Sequence, residues 1–362
     1  MSMTIPATGT GTTARYGTVL TPAQLAPGWF PSPRGRLTEY LAARLRAAPR
    51  TLHGWPDPAD DVLSGEDGAL ALYCLYELHY RGFADVDDGW EWEPSLLALR
   101  AGLERRFLAE VRAVTGEPRA GSTIQADDIP DVLTAVVAAG DGPSVSDHLD
   151  RRATLADFRE FAIHRSIYQL KEADPHTFAI PRLVGRAKAA MVEIQADEYG
   201  AGIERDMHQT LFGLTMTTLG LDPSYGAYLD LVPGVTLATV NLPSFLGLHR
   251  RWRGALVGHL ACFEMTSVEP MARAAGALRR LGIGPAGRHF YEVHVVADAH
   301  HETVAARDLA GGLVRDTPAL AADVVFGAQA AMAVEERWAR SVVPAWITGR
   351  SSLRPGLPVP AA

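Results

Sequence analysis

Along most of this chain, apolar residues recur every three to four positions, the spacing of a helix with one buried face. Between Gly35 and about Gly116 three stretches show it: GRLTEYLAARLRAA, GALALYCLYELHYRGF and PSLLALRAGLERRFLAEVRAV. The second gives way to an acidic, aromatic loop, DVDDGWEWEP. The third runs into TGEPRAGSTIQADDIPDV, whose glycines and prolines predict a connection. From about Ser146 the helical stretches lengthen. LADFREFAIHRSIYQLKE is expected to run until Pro175 stops it. PRLVGRAKAAMVEIQADEYG is expected to open at Pro181, a residue suited to a first helical position, and to end at Gly200 and Gly202. IERDMHQTLFGLTMTTLG follows, then a Gly/Pro-punctuated apolar region around 226–247. Three more helices are predicted from HRRWRGALVGHLACFEMTSVEPMARAAGALRRLG, GRHFYEVHVVADAHHETVAARDLAGGLV and ALAADVVFGAQAAMAVEERWARSVV.

No alternating-period strand with hairpin signals competes with these helices. The pattern predicts an all-α fold, a helical bundle over residues 146–345 with additional N-terminal helices over 31–145. Residues 1–30, rich in Thr, Gly, Ala and Pro, are expected to form a flexible or loosely docked arm, and 346–362 a C-terminal tail. The apolar faces of residues 35–116 suit a dimer interface or packing on the same chain.

The sharpest chemical signal lies in HVVADAHH, where His294, Asp298 and His301 stand at i, i+4 and i+7. At ~100° per residue these project within about 60° of one another. Two imidazoles and a carboxylate on one stripe of an otherwise apolar helix suit iron, manganese or zinc. The competing reading is a polar helix face with hydrogen-bonded histidines; His300, which points elsewhere, fits that description. One helix cannot complete a metal site, so other helices must contribute. Glu264 sits among Ala, Cys, Phe and Met, where an unpaired carboxylate is costly; its alternative is an ion pair with Arg250, Arg251 or Arg253. Asp197 and Glu198 close one helix and His208 opens the next, and spacing alone does not choose between the two acids. Glu172, and the pair Glu160 and His164, are further candidates for the missing carboxylate.

Composition narrows the classes. A formal net charge of −8 argues against a nucleic-acid partner. No stretch reaches the ~18 uncharged apolar residues of a membrane helix. The first residues carry neither a basic leader nor an apolar run, so a cytoplasmic protein is expected. Cys74 and Cys262 stand alone, which suggests neither a disulfide framework nor a thiolate site. Glu-x-x-His pairs, HExxH, GxGxxG, a P-loop and Gly-x-Ser-x-Gly are all missing.

From about residue 155 to the C-terminus, QLKEADPH, VEIQADEYG, the His208 segment, GHLACFEMTS and FYEVHVVADAHHE resemble the heme-oxygenase-like di-iron oxidases and oxygenases, also called iron-containing redox enzymes. Within that family the resemblance is to the branch containing the N-oxygenase domain of streptozotocin biosynthesis. It implies a heme-oxygenase-like bundle with metal ligands at Glu172, Glu198, His208, Glu264, His294, Asp298 and His301, favouring Glu198 over Asp197 and Glu172 over Glu160. It further implies one ion on Glu172, His208 and His301 and another on Glu198, His294 and Asp298, with Glu264 bridging or nearby. The implied cofactors are two Fe(II) ions with O₂ as co-substrate. The implied chemistry is N-oxygenation, desaturation or oxidative cleavage of a small amino-acid-like or fatty-acid-like substrate, with an external electron donor and a homodimer built on the N-terminal helices as companions. A single-metal or hydrolytic enzyme, or a non-catalytic metal-binding or interaction protein, are the rival readings. An appended cupin-like domain is missing from this chain, so a multi-step activity of fused relatives is not carried over.

Overall fold

A computed structural model of the 362-residue chain describes residues 20–116 and 124–355. Every regular element among them is a helix. The front half holds α1 (Pro22–Leu25), α2 (Arg36–Leu45), α3 (Glu66–Glu77), α4 (Pro94–Thr115), α5 (Ile129–Ala138) and α6 (Val145–Arg151). The bundle follows with α7 (Leu155–Gln169), α8 (Asp174–Thr177), α9 (Gly185–Glu198), α10 (His208–Thr218), α11 (Gly234–Leu248), α12 (Arg253–Arg280), α13 (Pro285–Thr303), α14 (Gly312–Asp316) and α15 (Ala321–Ile347). Between α13 and α14 the helix does not stop: it widens to π geometry over Val304–Gly311.

Helix α12 is the axis of the bundle, packed along α13 on one side and α15 on the other. Gly258 of α12 faces the Val324 backbone and Gly327 of α15 faces that of Ala255. A methyl group at either glycine would collide with the opposite helix. The two backbones therefore touch, and α12 is fixed in place just before it presents Glu264.

Three local expectations are corrected. The region around 226–247 contains a full helix, α11, with Pro243 inside it and nearly all of its side chains buried. Packed against α3, α12 and α15, it has no solvent face and hence no polar period to betray it. Helix α7 ends at Gln169, and Pro175 sits in the first turn of α8. Pro181 opens only a 3₁₀ turn, Ile180–Arg182, and α9 starts at Gly185, whose φ of 54° turns the chain into it. In addition, α5 begins inside the stretch predicted as a connection.

The front half packs on the bundle within one continuous apolar core. Eleven of the twelve residues of α3 are buried, and its main neighbours are α11 and α2, so its apolar surface is used within the chain. Residues 1–19 of the expected arm lie outside the described residues. From Leu20 onward it is docked: Leu20 packs against Gly213, the Tyr225 N–H donates to the Gln24 carbonyl, and Phe30 is buried. Of the C-terminal tail, 356–362 lie outside the described residues. Glu160 holds the tail at Ser352, accepting from its N–H at 2.8 Å and its hydroxyl at 2.6 Å. Among the described residues no single helix is long and apolar enough to cross a membrane.

Candidate metal centre

The stripe on α13 is buried, as its apolar surroundings require: His294, Asp298 and His301 are at most 3% exposed. Its members serve two neighbouring groups of side chains. His294 joins Glu172, Glu198 and His208, while Asp298 and His301 join Glu264; within each group one donor atom per residue lies within 4.8 Å of all the others. This division differs from the one the family resemblance implied, which set His301 with Glu172 and His208. Both divisions keep His294 and His301, about 10 Å apart along the axis of α13, in different groups; the structure differs in setting Glu172 and His208 with His294, and Asp298 with His301.

Apart from His294, the first group is gathered from helix ends. Glu172 stands in the turn between α7 and α8, Glu198 is the last residue of α9, and His208 the first of α10. Between the last two the chain reverses through Gly200, Ala201 and Gly202, all at positive φ. At Gly200 a side chain would strike the backbone of Asp206 and Met207, so glycine is required there. The reversal brings His208 Nδ1 to 2.9 Å from Glu198 Oε2. His294 donates from Nδ1 to the Phe290 carbonyl at 2.8 Å, which leaves the Nε2 lone pair facing Glu172 Oε2 at 3.7 Å.

The second group comes from helix interiors. His301 Nδ1 lies 3.5 Å from Glu264 Oε2 and 3.6 Å from Asp298 Oδ1. Its other nitrogen donates to Asp197 Oδ2 at 2.9 Å, the carboxylate–histidine arrangement that orients metal-binding imidazoles. Asp197 and Glu198 are therefore both used, the first to hold His301 from outside and the second within the first group.

Among the buried atoms that make no well-aligned hydrogen bond, five belong to the two groups: Glu172 Oε2, Glu198 Oε2, His208 Nδ1, His294 Nε2 and His301 Nδ1. Leaving one buried polar atom unsatisfied costs about 1–3 kcal/mol, so five orphans converging on one place point to a missing partner. The charges say what kind. Burial, then the carboxylates Glu198, Asp298 and Glu264, push the Glu172 carboxyl well above its usual range. Burial drives Glu264 up to about 7 although His301 pulls it back. Burial resists charge on His301, yet Asp298, Glu264 and Asp197 carry its imidazole to about 11. Glu198 and His294 go the other way: burial raises Glu198, but His208, His294 and His301 outweigh that and hold it at about 2, while burial and then His208 push the His294 imidazole down. The site collects protons because it lacks positive charge. Four carboxylates and three neutral imidazoles match the charge of two divalent cations and offer the hard-oxygen and borderline-nitrogen donors that iron takes.

The other candidates lie elsewhere. Among the described residues Glu264 has no arginine partner. Glu160 accepts from Trp346 and Ser352, and His164 bonds Thr236 and Ser352, so this pair anchors the tail. His300 makes an exposed pair with Glu193.

A cavity of about 410 Å³ opens onto both groups, lined by Glu172, Glu198 and His294 of the first and by Glu264 and Asp298 of the second. Its walls are largely apolar, with Phe161, Tyr168, Phe263, Tyr291 and Trp338 among them. One wall carries Arg165, which the sequence did not single out; it is held by a two-point pair to Glu335 at 3.0 and 2.7 Å.

Residues 159–336 match the profile of a family described as iron-containing redox enzyme. Nitrosourea synthase of Streptomyces achromogenes subsp. streptozoticus is 27% identical over 145 residues, which are 40% of this chain and 31% of that protein. The match thus spans under a third of the relative's length. Residues 159–336 contain all seven side chains of the two groups, and this segment belongs to the iron-containing redox enzyme family.

Proposed function

We propose that this protein is an O₂-activating, non-heme di-iron oxidase or oxygenase that acts on an N–H or C–H bond of a small amino-acid-like or fatty-acid-like substrate. The observation that carries this reading is that both acid–histidine groups face one cavity of about 410 Å³, the size of a small-molecule site. Glu172, Glu198, His208 and His294 would hold one ferrous ion, and Glu264, Asp298 and His301 the other. When bound, the pair supplies the electrons that reduce O₂ and the oxidising power that attacks the substrate. A single-metal enzyme needs only one such group, which disfavours that reading.

The protein's own residues orient the substrate and exclude water. The aromatic wall keeps bulk water from the groups. Three further buried atoms line the cavity without partners: Gln169 Oε1, Gln195 Nε2 and the Tyr291 hydroxyl. They stand three residues before Glu172, Glu198 and His294 respectively. They form a polar collar one turn from the first group, suited to gripping a polar end of the substrate. Burial pushes the Tyr291 phenol far up, so it stays a neutral donor. A cytoplasmic setting, an external electron donor and a homodimer belong to the same proposal. The test is anaerobic reconstitution with ferrous iron, then O₂ addition against a panel of amino acids and fatty acids. Substrate-dependent O₂ uptake with an oxidised product is expected. No O₂ consumption by the ferrous protein would sink the oxygenase reading.

A further inference from the structure

Three of the four members of the first group stand at helix ends, and what fixes two of those ends lies outside residues 159–336, in the front half. Glu77 closes α3 and Arg81 follows it by one turn. Glu77 Oε2 pairs with Lys171 Nζ at 2.6 Å; both side chains are 1% exposed, and Lys171 is one of only two lysines in the chain. The ammonium also sits 4.8 and 4.3 Å from the rings of Tyr73 and Tyr80. The other Glu77 oxygen accepts from the Tyr225 hydroxyl at 2.7 Å. Lys171 immediately precedes Glu172. Arg81 uses one nitrogen, Nη2, to reach two places at once, donating to the Leu170 carbonyl at 3.2 Å and to Gln209 Oε1 at 3.0 Å. Leu170 borders the same turn, and Gln209 follows His208. The guanidinium is backed by the Tyr225 ring at 4.1 Å and by the Leu25 carbonyl at 3.3 Å.

We infer that Glu77 and Arg81 are positioning residues for the first metal group. Glu77 through Lys171, and Arg81 through the Leu170 carbonyl, fix the turn that presents Glu172; Arg81 through Gln209 fixes the start of α10 that presents His208. A buried ion pair contributes little net stability against an apolar substitute, whereas a rigid support for a ligand typically changes metal affinity by about 10–100-fold. No comparable tether reaches Glu264, Asp298 or His301 from α3, so the effect belongs to one group. The inference rests on the metal-centre reading above.

Cobalt(II), whose visible absorption reports its coordination, tests it by titration of the full chain and three variants. These are Arg81→Met, the pair Glu77→Gln with Lys171→Met (which removes both buried charges together), and Gln209→Met (which cuts only the link to α10). Repeating each titration in a His301→Ala background identifies the ion held by the first group. Affinity of the first group is expected to fall about tenfold or more in the first two variants and about threefold in Gln209→Met, with an altered cobalt spectrum at that site and parental affinity at the second. Parental affinity at both sites, or equal loss at both, overturns the inference. If circular dichroism shows the first two variants unfolded, Gln209→Met decides by the same outcomes. An unaltered chain that binds fewer than two cobalt ions overturns the metal-centre reading and this inference with it, a result distinct from unchanged variants.

Discussion

Glu264, Asp298 and His301 stand within long helices, while Glu172, Glu198 and His208 stand where helices begin or end. The two groups share one cavity and one chemistry but are positioned by different physics. A ligand in a helix interior inherits its direction from the hydrogen-bonded backbone on both sides, and α12 is further pinned where Gly258 meets α15. A ligand at a helix end takes its direction from whatever holds the turn: the left-handed residues 200–202, and the tethers from Glu77 and Arg81. The contrast teaches that one half of the centre is pre-formed by secondary structure and the other is assembled by tertiary contacts.

Removing donors should separate the halves most sharply. Glu264→Ala with His301→Ala is expected to leave one bound ion of two, and Glu198→Ala with His208→Ala to leave the other, each with helical circular dichroism retained. Two ions kept by either double variant in a ferrous titration would dissolve the distinction.

Acidity should act next. A cation entering the second group must displace the proton of His301, which titrates at about 11, and below pH 7 also that of Glu264, which titrates at about 7. Protons and metal compete, so affinity falls as pH falls: about tenfold per pH unit above 7 and about a hundredfold per unit below. Glu264→Gln should abolish the steeper limb. An affinity flat from pH 6 to 8 would contradict the assignment of these two side chains.

Asp197→Asn should weaken the second group by roughly ten- to a hundredfold, because it removes the carboxylate that orients His301. The first group should not respond. The smallest effect is expected at the exposed His300–Glu193 pair: His300→Ala should change neither affinity by more than about twofold. A larger loss there, measured in the same titration, would show that α13 is positioned from its solvent face.

The same division governs what the sequence disclosed. His294, Asp298 and His301 were legible because a regular helix converts spacing into direction, and Glu264 because its flanks are apolar. Spacing could not choose between Asp197 and Glu198, since the answer depends on a chain reversal three residues long. Nor could it see that Glu160 and His164 serve Ser352, nearly two hundred positions away. In the fold, amphipathic helices such as α4 announced themselves, while α11, buried on every side, carried no period. Lys171 and Glu77 look unremarkable in the sequence because their meaning is a contact between halves of the chain.

The central claim is that two buried groups hold a pair of iron ions, and anomalous diffraction at the iron edge tests it most directly. In crystals of the ferrous-loaded protein two peaks are predicted, one among Glu172, Glu198, His208 and His294 and one among Glu264, Asp298 and His301. Iron bound only elsewhere, or no peak at either group, would contradict the account.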